Sequence, residues 1–285
     1  MKALLIVVTA LVVIAGAPFD SGGAASGLAF AQGQQTPRLS NGRIEPHATT
    51  SIAKDVPALA ETLTEPMWIG YAQPMIDGNH EMCDYWNDGR RMSQSTDPIR
   101  LEPADFFFVM FRVEEKQITR IRTYSANCPL DAGGKAVHWF NNVAVNDSIS
   151  YMKTFMGPNA TRKFSDSAVT VIALTEGQRP LDELIALARD GSTANTKGNA
   201  LFWLAQRAGA KAVGQITAAI ENDPDTKVKE KAVFALSQLP KDEGVPLLIQ
   251  QARTNKNPAV RKQAMFWLGQ SKDPRALRFF EEILK

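Results

Sequence analysis

Apolar residues in the second half of the chain recur in blocks. Residues 200–206 read ALFWLAQ, residues 232–238 read AVFALSQ and residues 264–270 read AMFWLGQ, at a step of 32. The same step links Val213, Val245 and Leu277, then Ile216, Leu248 and Phe280, then Ile220, Ala252 and Leu284. One step earlier, Ala168 and Ile172 followed by Leu181, Leu184 and Ala188 make a more divergent fourth copy. A fixed period of this size is the signature of a solenoid. Within one copy, Val228, Ala232, Ala235, Leu236 and Leu239 share a face at helical spacing, and Val245, Leu248, Ile249 and Ala252 form a second stripe. Pro240 ends the first helix, and Pro224 and Pro258 fall in turns between units, where a missing amide donor costs little. One helical hairpin cannot bury its own stripe, so neighbours must stack. The pattern predicts an α-solenoid of about four helical hairpins over residues 159–285.

The segments TKVKEKAVFALSQLPKDEGVPLLIQQA and PAVRKQAMFWLGQSKDPRALRFFEEIL resemble bacterial HEAT repeats of the short, phycobilisome-lyase-like type. Val228-Lys229 and Val260-Arg261 stand where that family has its Val-Arg pair, and the resemblance covers about residues 165–285. It implies a fold and not a reaction. Members are mostly binding scaffolds and a minority are chromophore lyases. Nothing in this sequence supports lyase chemistry or a tetrapyrrole partner. The motifs HEMC, CPLDAGG and FWLGQ together also look like an exported HEAT-repeat family of environmental bacteria.

Two surfaces of such a stack are candidates for binding a protein or peptide. Phe202, Phe234 and Phe266 share one repeat position. On a helical wheel Phe234 lies about 140° from the apolar stripe. The row is either an exposed partner stripe or a set of rings packed between neighbouring first helices. Trp203 and Trp267 share the column of Ala235 and are expected in the core. The second helices should line the concave face, with Glu183, Gln215, Glu221, Gln250, Arg253 and Glu282 pointing outward. This set has mixed sign and suits a peptide better than a phosphate polymer, although a merely solvated face fits it equally. No polar capping helix follows the last stripe, so the end bearing Phe279 and Phe280 is expected to meet a partner, a second copy or the N-terminal domain.

Residues 56–158 show no repeat and read as a small α+β domain with a mostly antiparallel sheet. Met67–Ile76 reads as a strand, Phe106–Val113 and Ile118–Tyr124 as a hairpin, and Ala136–Phe140 as a further strand after an Asp131-Ala132-Gly133-Gly134 turn. Val56–Leu63 and Ser148–Phe155 read as short helices, and Gly157-Pro158 marks the boundary to the repeats. Arg120, Arg122 and Tyr124 alternate on one strand face, which could bind an acidic group, although a solvated sheet face is the preferred reading. Residues 32–55, rich in Gln, Pro, Ser, Thr and Gly, read as a flexible linker.

Lys2 followed by an uncharged apolar run from Ala3 to Ala17 is too short for a span, which needs about 20 residues. It fits the h-region of a signal peptide over residues 1–31, with cleavage after Ala29-Phe30-Ala31. Ala15-Gly16-Ala17 is a weaker site because Pro18 would follow the cut, and an uncleaved anchor is the alternative. The mature chain is expected in a bacterial periplasm or outside the cell, with no membrane span. With 32 basic residues against 30 acidic ones, charge gives no reason to expect nucleic-acid binding.

Candidate chemistry converges on His80, Cys83, Cys128 and His138. Two cysteines in an exported protein point to a disulfide. Closing a loop of about 46 residues contributes roughly 4 kcal/mol in the chain-entropy model. The alternative is a metal site or an enzyme using the same four residues, but His-x2-Cys and Cys-x9-His do not match a zinc knuckle. A Cys-His nucleophile has no local signature and would be blocked by the disulfide. No P-loop, EF-hand, GxSxG or HExxH pattern occurs. The sequence therefore predicts a non-enzymatic interaction scaffold that needs no cofactor, and it leaves the oligomeric state open.

Overall fold

The computed structural model describes residues 35–77, 82–83, 85–87, 90–92 and 105–284. The expected signal peptide and His80 lie outside them. The order is β1 (Leu39–His47), α1 (Ile52–Thr62), β2 (Met67–Pro74), β3 (Tyr85–Asn87), β4 (Arg90–Met92), β5 (Phe106–Glu114), β6 (Gln117–Ser125), β7 (Leu130–Phe140) and α2 (Val145–Thr154). Four helical hairpins follow: α3 (Arg162–Leu174) with α4 (Gln178–Asp190), α5 (Ala194–Ala208) with α6 (Val213–Asn222), α7 (Thr226–Ser237) with α8 (Lys241–Thr254), and α9 (Pro258–Gln270) with α10 (Pro274–Ile283). A small α+β part followed by an α-solenoid is the class the sequence predicts.

The larger sheet has the order β1-β7-β2-β5-β6, and β3 pairs with β4 separately. The sheet is mixed and not mostly antiparallel: β7 runs parallel to both β1 and β2, while β2-β5 and β5-β6 are antiparallel. Helix α1 is the cause. It returns the chain between β1 and β2 so that both point the same way, and β7 fits between them. The stretch expected to be a linker instead carries edge strand β1 and the start of α1. An edge strand is held by backbone pairing and needs few apolar residues, so its composition imitates a linker. The expected turn at Asp131–Gly134 lies inside β7. Gly133 and Gly134 take φ values of 61° and 78°, the Asp131 carboxylate accepts from the Gly133 amide at 2.7 Å, and the pairing with β1 shifts register there.

Alternation along the strands sends Ile69, Tyr71, Phe107, Val109, Phe111 and Phe140 to one face, where they pack on Ile52, Val56, Ile149 and Met152 of α1 and α2. The Tyr71 hydroxyl and the Ser148 hydroxyl are 2.8 Å apart, and the Asp147 carboxylate accepts from the Ile52 amide at 2.7 Å, which holds α1 to α2. The core does not stop at Gly157-Pro158. Phe155 stacks on Phe164 across that point, with centroids 5.7 Å apart, and one apolar cluster runs from Ile52 to Phe279.

The repeat period has a polar counterpart. Thr193, Asp225 and Asn257 stand 32 residues apart, and each caps the first helix of a hairpin by accepting from an amide in its first turn. Lys229 donates to the carbonyls of Ile220 and Glu221 at 2.7 Å each, the last turn of α6. Arg261, one period on, donates to the carbonyls of Asn255 and Lys256 after α8. The basic residue of the Val-Arg position is therefore a clip: a cation on the exposed carbonyls at the end of the preceding helix.

Two outcomes follow. A Cβ on Gly70 would sit 2.4 Å from the Met110 sulfur and 2.8 Å from the Trp139 ring. Gly70→Ala should lower the unfolding free energy by about 1–3 kcal/mol in urea titration. Because one core joins sheet and solenoid, thermal unfolding followed by far-UV and near-UV circular dichroism should give coincident midpoints. Separated midpoints would mean that the two parts melt independently.

Candidate functional site

Phe202, Phe234 and Phe266 project from α5, α7 and α9. The rings of Phe202 and Phe234 stack with centroids 5.7 Å apart and planes 2° from parallel. Trp267 covers Phe234 at 4.9 Å and meets Phe266 edge-on at 5.0 Å, and Trp203 meets Phe202 edge-on at 5.4 Å. These spacings are those of favourable aromatic pairs. The row is packed along its length, and only Phe266 stays largely open, at 53% exposure. The two tryptophans are half-buried and not in the core. Ala235 occupies their column in the middle unit and is fully buried. An indole is too large for that slot and lies along the helix surface against the neighbouring phenylalanine.

The concave-face candidates divide. Gln215, Glu221, Gln250 and Arg253 are exposed. Glu183 is buried, held by the Lys153 ammonium at 2.8 Å and by Arg179 at 3.5 Å. Lys153 lies on α2, so the outward position of the first hairpin is a joint to the sheet part and not a binding surface. Arg253 pairs with Glu282, and its guanidinium lies 5.2 Å from the Phe279 ring centre. Phe279 itself is buried, contrary to the expectation for it.

The apolar side chains of α10 that remain open are Leu277, Ile283 and Leu284, the last just past its end. Leu277 and Leu284 are 62% and 84% exposed, whereas Val245 and Ala252, one period earlier, are 3% and 8% exposed. α8 packs on α9 and α10. The same repeat positions are therefore dry where another hairpin lies against them and open on α10. With Phe266 they account for every large exposed hydrophobic among the described residues. The 32-residue step already paired Leu277 with Val245. It could not show in which copy these positions are exposed.

Cys83 and Cys128 form a disulfide, with Cα atoms 5.1 Å apart. His138 does not join them. It is buried on the helix-covered face of the sheet, where its Nδ1 lies 3.0 Å from His47 Nε2 and 3.4 Å from a Glu45 carboxylate oxygen. Val137, next to it, faces the opposite side, towards Cys83. Burial holds the His138 imidazole below its ordinary pKa, with Glu45 opposing and His47 and Arg43 assisting. His47 is the residue that sequence reasoning missed. Only the parallel pairing of β1 with β7 puts it beside His138. Among the described residues no three His, Cys, Asp or Glu side chains are grouped to hold a metal ion, and no helix is long and apolar enough to cross a membrane.

Residues 213–285 match the family model for HEAT repeats. No curated protein is significantly similar to the chain in sequence. Among solved structures, the complex of CpcE and CpcF of phycocyanin lyase from Nostoc sp. PCC7120 is similar at 14% identity, with a TM-score of 0.39 over 50% of this chain and 90% of that one. Human deoxyhypusine hydroxylase in complex with glycerol is similar at 16% identity, with a TM-score of 0.34 over 44% of this chain and 43% of the enzyme. YibA of Escherichia coli is similar at 22% identity, with a TM-score of 0.35 over 49% of this chain and 54% of its own. The match spans about half the length of these last two proteins. The matched segment falls on the last helices, and their hairpins and 32-residue period agree with HEAT-type helical repeats there.

Proposed function

We propose that this protein is an exported, non-enzymatic interaction scaffold that binds a protein or peptide partner through its HEAT surface. The observation that carries this reading is the exposed apolar surface that Phe266, Leu277, Ile283 and Leu284 give the α9–α10 hairpin. Such a patch has an affinity for apolar surface that water does not satisfy. Arg253 and Glu282 beside it, with Gln250 further along α8, give it a polar rim of the kind found around interface cores. Export is supported by the apolar N-terminal run and by the Cys83–Cys128 disulfide, since such bonds persist in oxidising compartments. The disulfide also removes both thiolates that a catalytic or metal site at Cys83 and Cys128 would need.

Two measurements test the reading. A photo-crosslinking amino acid at Leu277, introduced in the native host, should give a covalent adduct with one other protein, and Leu284→Glu should abolish it. The same group at Gln215, exposed on α6, should give none. Equal adducts from both positions, or none from Leu277, would remove the patch as the docking surface. Intact mass of the purified protein should show a start at Gln32 and two alkylatable thiols only after reduction. A retained Met1, or thiols open before reduction, would contradict export with an oxidised pair.

A further inference from the structure

Among the described residues, helices cover only one face of the larger sheet. The opposite face carries Trp68 on β2, Phe108, Met110 and Arg112 on β5, Arg120, Arg122 and Tyr124 on β6, and Val137 and Trp139 on β7. Its centre is dry: Phe108, Met110, Val137 and Trp139 are buried as a second apolar cluster, separate from the main core. Beside that cluster lies a cavity of about 500 Å³. Trp68, Met110 and Val137 line it with apolar surface, Arg120, Arg122 and Tyr124 line it with donors, and Cys83 of the disulfide also borders it. A solvated strand face, the expectation for Arg120, Arg122 and Tyr124, does not describe this. The register brings their polar ends to a cavity walled by aromatic and sulfur-containing side chains.

The charges around the cavity are unbalanced. Arg112 stands directly opposite Arg120 across the β5-β6 ladder, an arrangement that is unfavourable for like charges. Arg112 is occupied, since it pairs with Glu114 at 3.1 Å and lies 5.5 Å from the Trp68 ring centre. Among the described residues neither Arg120 nor Arg122 has a hydrogen-bond or ion-pair partner. Among the described residues Asp131 is the one acidic residue lining the cavity, and one of its carboxylate oxygens accepts from the Gly133 amide. Two guanidinium groups two residues apart on one strand face, of which Arg120 also acts on the Glu114 carboxylate, are separated by about 7 Å along the backbone, close enough to share one anionic group.

We propose that this cavity binds a small amphipathic organic anion. An aromatic or alicyclic body would rest on Trp68, Met110 and Val137, and a carboxylate or sulfonate would take hydrogen bonds from Arg120 and Arg122, with the Tyr124 hydroxyl as a further donor. The volume lies within the range of small-molecule sites, about 300–1,000 Å³. The anion supplies a counter-charge to Arg120 and Arg122. The apolar body would match the Trp68, Met110 and Val137 side chains that line the cavity. This site is independent of the solenoid patch.

The test uses the full mature chain and 1-anilinonaphthalene-8-sulfonate, with the neutral N-phenyl-1-naphthylamine as its uncharged counterpart. The sulfonate should bind saturably at one equivalent, read by fluorescence and calorimetry. Arg122→Gln should weaken it at least tenfold, and Arg120→Gln with Arg122→Gln should abolish that equivalent, with the melting temperature unchanged. The neutral dye should bind wild type and variants alike and more weakly than the sulfonate does. Leu277→Glu, on the solenoid, should leave sulfonate affinity as it is. The proposal is overturned if the arginine variants bind the sulfonate as tightly as wild type, if the neutral dye binds as tightly as the sulfonate, or if Leu277→Glu is the change that removes binding.

Discussion

An amphipathic helical hairpin has more apolar surface than it can cover by itself, and this structure is organised around that deficit. Each hairpin from α3–α4 onward is dry only because another layer lies against it. The first layer is not a hairpin at all. The inner face of the sheet, with α1 and α2, takes that place, and Phe155 on Phe164 marks the join. The sheet part thus acts as the N-terminal cap of the solenoid, and the pair of Lys153 with the buried Glu183 fastens the two.

Apolar stacking is non-directional and would tolerate sliding. The polar columns set the spacing. The caps at Thr193, Asp225 and Asn257 fix where each first helix begins. Lys229 and Arg261 fix how far each hairpin sits from the end of the helix before it, because a cation must reach two particular carbonyls. A 32-residue period with a basic residue after valine is what those two constraints look like when written in sequence. The aromatic row across α5, α7 and α9 adds a third register on the outer side, each ring lying against one from the next unit.

Two apolar surfaces remain incompletely covered, and they differ in kind. The exposed apolar side chains on α9 and α10, with the Arg253–Glu282 ion pair on α8 and α10, suit another polypeptide. The second face of the sheet is concave and bordered by unpaired guanidinium groups, which suits a compact anion. The disulfide belongs to the second of these. It ties Cys83 to the segment between β6 and β7 at the cavity's edge, and the sheet separates it from His138. Cys83, Cys128 and His138, which could have shared one chemical cluster, are thereby divided between two faces.

The solenoid was legible because its core is made of local, repeated contacts, so the same residue types return every 32 positions. The hairpin of β5 and β6 and the disulfide pairing were legible for similar reasons: a short turn between two β-rich runs, and only two cysteines to pair. β1 was not legible. Its hold on the fold is backbone pairing with β7, about ninety residues away, and that leaves almost no trace in side-chain composition. The same pairing put His47 against His138. Burial of Glu183 and Phe279, and exposure of Leu277 and Leu284, also escaped the repeat pattern. A period assigns equivalent positions, whereas exposure depends on which neighbour is present. The sequence by itself determined the helical repeat, its register and its joints, since these arise from residues close in the chain. The mixed sheet, the cavity behind it and the identity of the open surfaces were decided only by tertiary structure, because they depend on strands and layers that meet from distant parts of the chain.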